Sequence, residues 1–139
     1  MAAHPPVDLD RPRVLEGHTD PVLAPYELTV TGVYFERFWL PLVGPSVAAL
    51  LRYIASHDDE TLTLRQVGES LGLGAEHAKR CIERAQRFAM VELTSSRLRG
   101  LRFVAPLTAR QVAKLPDWLG EQHPALPPMR RIAATSSAR

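Results

Sequence analysis

The segment TLRQVGESLGLGAEHAKRCIERAQRFAMVELTSSRLRGLRFV, residues 63–104, decides how this chain is read. It opens on Thr63-Leu64-Arg65-Gln66, the spacing of a capping box. The Thr63 hydroxyl can accept an N–H of the first turn while the Gln66 side chain reaches back to the Thr63 N–H. Leu64, Val67 and Leu71 follow at helical spacing and define one apolar face. Gly72 supplies the left-handed position that ends a helix, Leu73 plugs the turn, and Gly74 breaks the chain again. A second helix is expected over residues 75–89, with Ala78, Cys81, Ile82, Ala85, Phe88 and Ala89 on its apolar face. Its other face carries Lys79, Arg80, Arg84, Gln86 and Arg87. Glu76 and Glu83 lie among these, spaced to pair at i,i+4 with Arg80 and Arg87. Residues 90–93 (MVEL) have strand composition. Residues 94–100 form a polar, basic turn with Ser95, Ser96, Arg97 and Arg99, and Leu101-Arg102-Phe103-Val104 alternates as a half-exposed strand does.

Charge is distributed unevenly. Residues 63–104 hold eight basic side chains (Arg65, Lys79, Arg80, Arg84, Arg87, Arg97, Arg99, Arg102) against four acids (Glu69, Glu76, Glu83, Glu92). Residues 1–62 hold four basic and nine acidic ones, and the whole chain of 139 residues is only +2. Positive charge is therefore gathered on the segment that reads as helix, turn, helix and hairpin, the footprint expected of a nucleic-acid-binding face.

The order TLRQVGESLGLGAEHAKRCIERAQRFAMVEL resembles the winged helix-turn-helix superfamily of bacterial DNA-binding proteins: a helix, an LGL turn, a recognition helix and a strand. The resemblance implies a mainly α protein with a small β-hairpin wing, flanked by N- and C-terminal helices; the composition of the two ends adds disordered tails. It implies double-stranded DNA as partner. Arg80, Arg84 and Arg87, with His77 and Lys79, would face the major groove. Arg97, Arg99 and Arg102 would grip phosphates or the minor groove, and Arg65 would touch the backbone. Winged helices also serve as protein-interaction modules, and the two glutamates on the second helix are in keeping with that use. A narrower resemblance covers residues 38–56, FWLPLVGPSVAALLRYIAS. Trp39, Pro41, Leu42, Val43 and Gly44 match the opening of winged helices in DnaD/DnaB-type primosome proteins, which implies self-association.

Outside the central segment the chain divides into a Pro-rich N-terminal arm (residues 1–25), the domain (residues 26–120) and a basic C-terminal tail (residues 121–139). The arm contains Pro5, Pro6, Pro12, Pro21 and Pro25 and is expected to be mobile, with Val14, Leu15, Val22 and Leu23 as its apolar points. Residues 26–40 collect five of the nine aromatics: Tyr26, Tyr34, Phe35, Phe38 and Trp39. Leu28 and Val30 alternate as in a short strand. A helix through Leu40 is then limited by Pro41. Such a cluster either seals a core or forms an interface between two copies, so Tyr34, Phe35, Phe38, Trp39 and Trp118 are the candidate interface. A base-stacking platform would need interleaved basic residues, and only Arg37 is there. Pro45 opens the next helix, in which Val47, Leu50, Leu51 and Ile54 recur at helical spacing. The helix ends near His57, and Asp58-Asp59-Glu60 reads as a solvated acidic loop. Thr61 and Leu62 suit a small third strand. Thr108-Ala109-Arg110-Gln111 repeats the capping box before a short helix interrupted at Pro116. In the tail, Arg130, Arg131 and Arg139 either add nonspecific phosphate contacts or belong to a solvated tail with no role.

Several function classes find no support in the sequence. No apolar run approaches the ~20 residues of a membrane span, and no secretory signal opens the chain, so a cytoplasmic protein is expected. Cys81 is the only cysteine, which excludes an intrachain disulfide, and it falls on an apolar helix face where a small core residue belongs. No phosphate-binding glycine loop, nucleophile elbow or metal-ligand spacing is present. The reading is of a non-enzymatic protein without cofactor or metal. It is a small dimeric regulator bound to duplex DNA or, alternatively, an adaptor that binds a protein partner.

Overall fold

The computed structural model describes residues 7–124. The expected features at Pro5, Pro6, Arg130, Arg131 and Arg139 lie outside the described residues. The central segment folds into the expected order of elements. Helix α3 (Leu64–Ser70) carries the complete capping box: Gln66 N–H donates to Thr63 Oγ1 at 3.0 Å and Thr63 N–H donates to Gln66 Oε1 at 2.9 Å. Gly72 takes a left-handed φ of 76°. Helix α4 (Ala75–Arg87) buries Ala78, Cys81, Ile82 and Ala85, and also Gln86, which the sequence placed on the outer face. The two helices pack closely, because a Cβ on Gly68 would lie 2.8 Å from the Ala78 Cβ. Strands β3 (Val91–Leu93) and β4 (Arg97–Leu101) follow. The turn between them is only residues 94–96, so Arg97 and Arg99 sit on a strand and not at a hairpin tip.

The expectation of a mainly α protein with a small hairpin wing is corrected by the sheet. Strands β1 (Pro12–His18), β2 (Thr61–Thr63), β3 and β4 form a four-stranded mixed sheet in the order β2-β1-β4-β3. The segment expected to be a mobile arm thus supplies one of the two inner strands, antiparallel to β2 and parallel to β4. The driving force is burial. Leu15 pairs with Leu98, and both are fully buried. Arg13 is also buried, yet its Nε donates to Thr94 O at 2.7 Å and its Nη1 to Asp8 O at 2.8 Å, so the charge enters with hydrogen bonds in place.

Helix α2 (Pro45–Ser56) lies on the sheet and turns Val47, Leu50, Leu51 and Ile54 inward. Before it, a π-helical turn (Phe35–Trp39) runs directly into α1 (Leu40–Val43). Pro41 does not end this helix. Leu40 N–H bonds to Phe35 O, five residues back, and the widened turn accommodates the ring. The helix stops instead at Gly44, whose φ of 92° disfavours any side chain. Leu28 and Val30 form no strand; a single bridge joins Thr29 to Phe103. The C-terminal helix is two short pieces, α5 (Ala109–Val112), with its own capping box, and α6 (Asp117–Gly120).

The aromatic cluster belongs to the core of one chain. Phe35, Phe38 and Trp39 are buried, and Trp39 Nε1 donates to Ala105 O at 2.8 Å. Tyr34 Oη accepts the Leu107 N–H at 2.9 Å and lies 2.6 Å from His123 Nε2, with the His123 ring edge-on to Phe38. Residues 121–123, read from sequence as the start of a disordered tail, are therefore docked. Of the five expected interface aromatics, Trp118 alone is largely exposed, at 64%.

Truncating the inner strand's anchor tests this account. Leu15→Ala should cost about 2–5 kcal/mol in urea unfolding, as a buried leucine does. Gly68→Ala, which forces α3 from α4, should cost about 1–3 kcal/mol. A mobile residue 1–25 arm would instead leave Leu15→Ala at wild-type stability.

Candidate functional site

Helix α4 has one buried side, so its remaining residues divide between two outer flanks. At 100° per residue, His77, Arg80, Arg84 and Arg87 fall on one flank and Glu76, Lys79 and Glu83 on the other. The first flank faces the junction of α1 and α2. Between them runs a groove of about 440 Å³, with residues 43–47 as one wall and His77, Arg80, Arg84 and Arg87 on the other. Among the described residues, no carboxylate lines it.

Arg84 fixes the groove's shape. Its Nε donates to Val43 O at 2.7 Å and its Nη2 to Leu42 O at 2.8 Å. The guanidinium lies over the Phe88 ring, which meets Trp39 edge-on. A cation on the last carbonyls of a helix is favourable for both charge and hydrogen bonding. Arg84 is thus a positioning residue that ties α4 to the end of α1; the sequence reading set it among the residues facing a major groove. Gly44 then turns the chain so that α2 starts at the groove with no side-chain cap and no acid in its first turn. Among the described residues, His77, Arg80 and Arg87 have no hydrogen bond or ion pair, and all three are exposed.

The other expected DNA contacts are engaged within the chain. Lys79 pairs with Glu76 at 3.6 Å, in place of the expected Glu76–Arg80 and Glu83–Arg87 pairs. Arg97 meets Glu16 at 3.1 Å. Arg99 meets Glu92 at 3.1 Å, Glu16 at 3.5 Å and His18 Nδ1 at 2.9 Å. The sheet register sets this, because Glu16 of β1 and Glu92 of β3 lie on either side of Arg99 in β4. Arg102 meets Asp58 at 3.4 Å, and Asp58 Oδ1 also accepts the Gly17 N–H at 2.7 Å. Arg65 donates to Asp10 at 2.8 Å, and that bond holds the Asp10 carboxyl below its ordinary range. The structure therefore brings together four of the nine expected residues, one of them anchored, and separates the rest. Sequence reading missed the wall of residues 43–47. Its Gly44-Pro45 helix start was visible, but nothing local shows that it faces α4.

Cys81 also lines the groove, and burial pushes its thiol from 9.0 up to about 11. No group of three or more metal-ligating side chains occurs among the described residues, and none of their helices is long and apolar enough to cross a membrane. Comparison of the chain with family models, with curated proteins and with solved structures yields no match.

Two measurements probe this geometry. Arg84→Ala should lose about 1.5–3 kcal/mol in urea unfolding, the range for hydrogen bonds from a charged donor; an unchanged midpoint would exclude the anchoring role. For Cys81, the folded chain holds the proton to higher pH than the unfolded chain. The stability this contributes is intact below pH 9.0 and is lost as pH rises through about 11. Wild type should lose about 2–3 kcal/mol more than Cys81→Ala over that interval, at 1.36 kcal/mol per pH unit. Parallel pH profiles for the two proteins would contradict it.

Proposed function

We propose that the protein binds double-stranded DNA through α4 and the adjoining groove. The observation that carries this reading is a pair of uncommitted cations: Arg80 and Arg87, with the His77 ring beside them, are exposed along a groove that, among the described residues, no carboxylate lines. Leaving positive charge unneutralised there, while Arg65, Arg97, Arg99 and Arg102 meet acids elsewhere, suits an anionic occupant. The helix-turn-helix of α3 and α4 adds support through its resemblance to DNA-binding domains. The paired arginines of β4 contribute less on this reading, since phosphates must displace Glu16 and Glu92 to reach them.

That internal neutralisation also favours a second reading, in which the groove takes an acidic segment of a protein partner. Fluorescence anisotropy with mixed-sequence duplex DNA separates the two. DNA binding should weaken steeply with salt. Arg80→Ala and Arg87→Ala should each reduce the slope of log K against log salt by about 0.9, and Arg97→Ala by less. Absence of duplex binding at low salt would refute the DNA reading and turn the search to protein partners.

A further inference from the structure

We propose that the α4 groove seats a phosphate of the nucleic-acid backbone, so that α4 anchors a duplex without reading its bases. This rests on the DNA-binding reading above and names what that site contacts.

Three observations lead here. The first is the division of charge on α4. A helix lying in the major groove has a phosphate backbone along each flank. One flank of α4 carries His77, Arg80, Arg84 and Arg87, but the other carries Glu76 and Glu83, with Lys79 already paired to Glu76. Phosphates on that second flank would meet two carboxylates, so the helix is suited to backbone contact on one side only. The second is the commitment of Arg84. Reading guanine requires a free guanidinium fork; the fork of Arg84 is occupied by the Leu42 and Val43 carbonyls, and the two free forks, of Arg80 and Arg87, border the groove opposite residues 43–47. No asparagine lies on α4 to read adenine, and its one glutamine, Gln86, is buried. The third is shape. Arg80, Arg87 and His77 line a concavity whose facing wall is the chain at residues 43–47. A concave cationic groove fits a protruding tetrahedral anion better than it fits the flat edge of a stacked base pair.

The test has two arms on the full chain. The first is a panel of equal-length duplexes of unrelated sequence, measured by anisotropy at one salt concentration. Affinities should agree within about threefold, against the ~10³-fold or more that separates specific from nonspecific sites. Arg80→Ala and Arg87→Ala, both at exposed positions, should weaken every duplex by a similar factor, on the order of tenfold. The second arm titrates inorganic pyrophosphate and follows backbone amide shifts. Changes should concentrate at Gly44, Ser46, His77 and Arg80, and should disappear in the Arg80→Ala, Arg87→Ala double variant. Pyrophosphate binding in the groove with sequence-blind duplex binding supports the proposal. A preferred duplex whose advantage vanishes in Arg80→Ala overturns it and leaves the DNA reading standing. Sequence-blind duplex binding with no pyrophosphate response in the groove also overturns it, placing the backbone contact elsewhere. No duplex binding at all overturns both.

Discussion

The parallel pairing of β1 with β4 is the constraint on which the rest of the structure depends. It places Leu15 beside Leu98 beneath α2, at the centre of the buried core. Without it, β4 would belong to a two-stranded hairpin, too small to be stable alone, and β2 would have no neighbour. The sheet gives α2 a surface to lie on, and α2 in turn positions α4 and the α1 junction. At Gly100, a Cβ would come within 2.9 Å of Ile54 Cδ1, which shows how closely α2 approaches the strand.

The same pairing determines where charge remains available. Because β1 enters in register with β4, Glu16 falls opposite Arg99 and within reach of Arg97, while Glu92 approaches from β3. These are exposed or half-exposed pairs, each worth at most about 1 kcal/mol. Their main effect is on the field at the surface, not on stability. The chain's cationic segment is thus reduced to one flank of α4. Arg84 is committed there as well, through carbonyls and not acids, so it keeps its positive charge while its hydrogen-bonding fork is used.

Features governed by neighbours in sequence were legible in it. Thr63 and Gln66, and again Thr108 and Gln111, lie three residues apart, and both pairs form the boxes their spacing implies. Ala78, Cys81, Ile82 and Ala85 needed only helical periodicity to be placed inward. What escaped depends on partners far along the chain. PRVLEGH begins with proline and contains glycine, a poor advertisement for an inner strand, and its fitness comes from β2 and β4. Arg97, Arg99 and Arg102 look like a basic wing until Glu16 and Asp58 arrive from elsewhere. Phe35, Phe38 and Trp39 announce burial plainly, but a row of aromatics does not say whether its cover comes from the same chain or another. Here the cover includes Ala105, Leu107 and His123. The anchoring of Arg84 escaped for a similar reason, since the carbonyls it binds lie 41 and 42 residues away.

The β1–β4 pairing also bears on the order of assembly. Glu16 and Arg97 are 81 residues apart, whereas the α3–α4 pair and the β3–β4 hairpin are each made within a short stretch of chain. The entropy of closing a loop grows with its length, and folding slows as contacts become less local. The hairpin and helix pair can form early, but the sheet acquires its centre only when the N-terminal segment returns across the whole domain. Until that return, β4 presents an open hydrogen-bonding edge, the kind of edge on which strands of separate molecules associate. The first strand of the chain is in this sense a closing clasp.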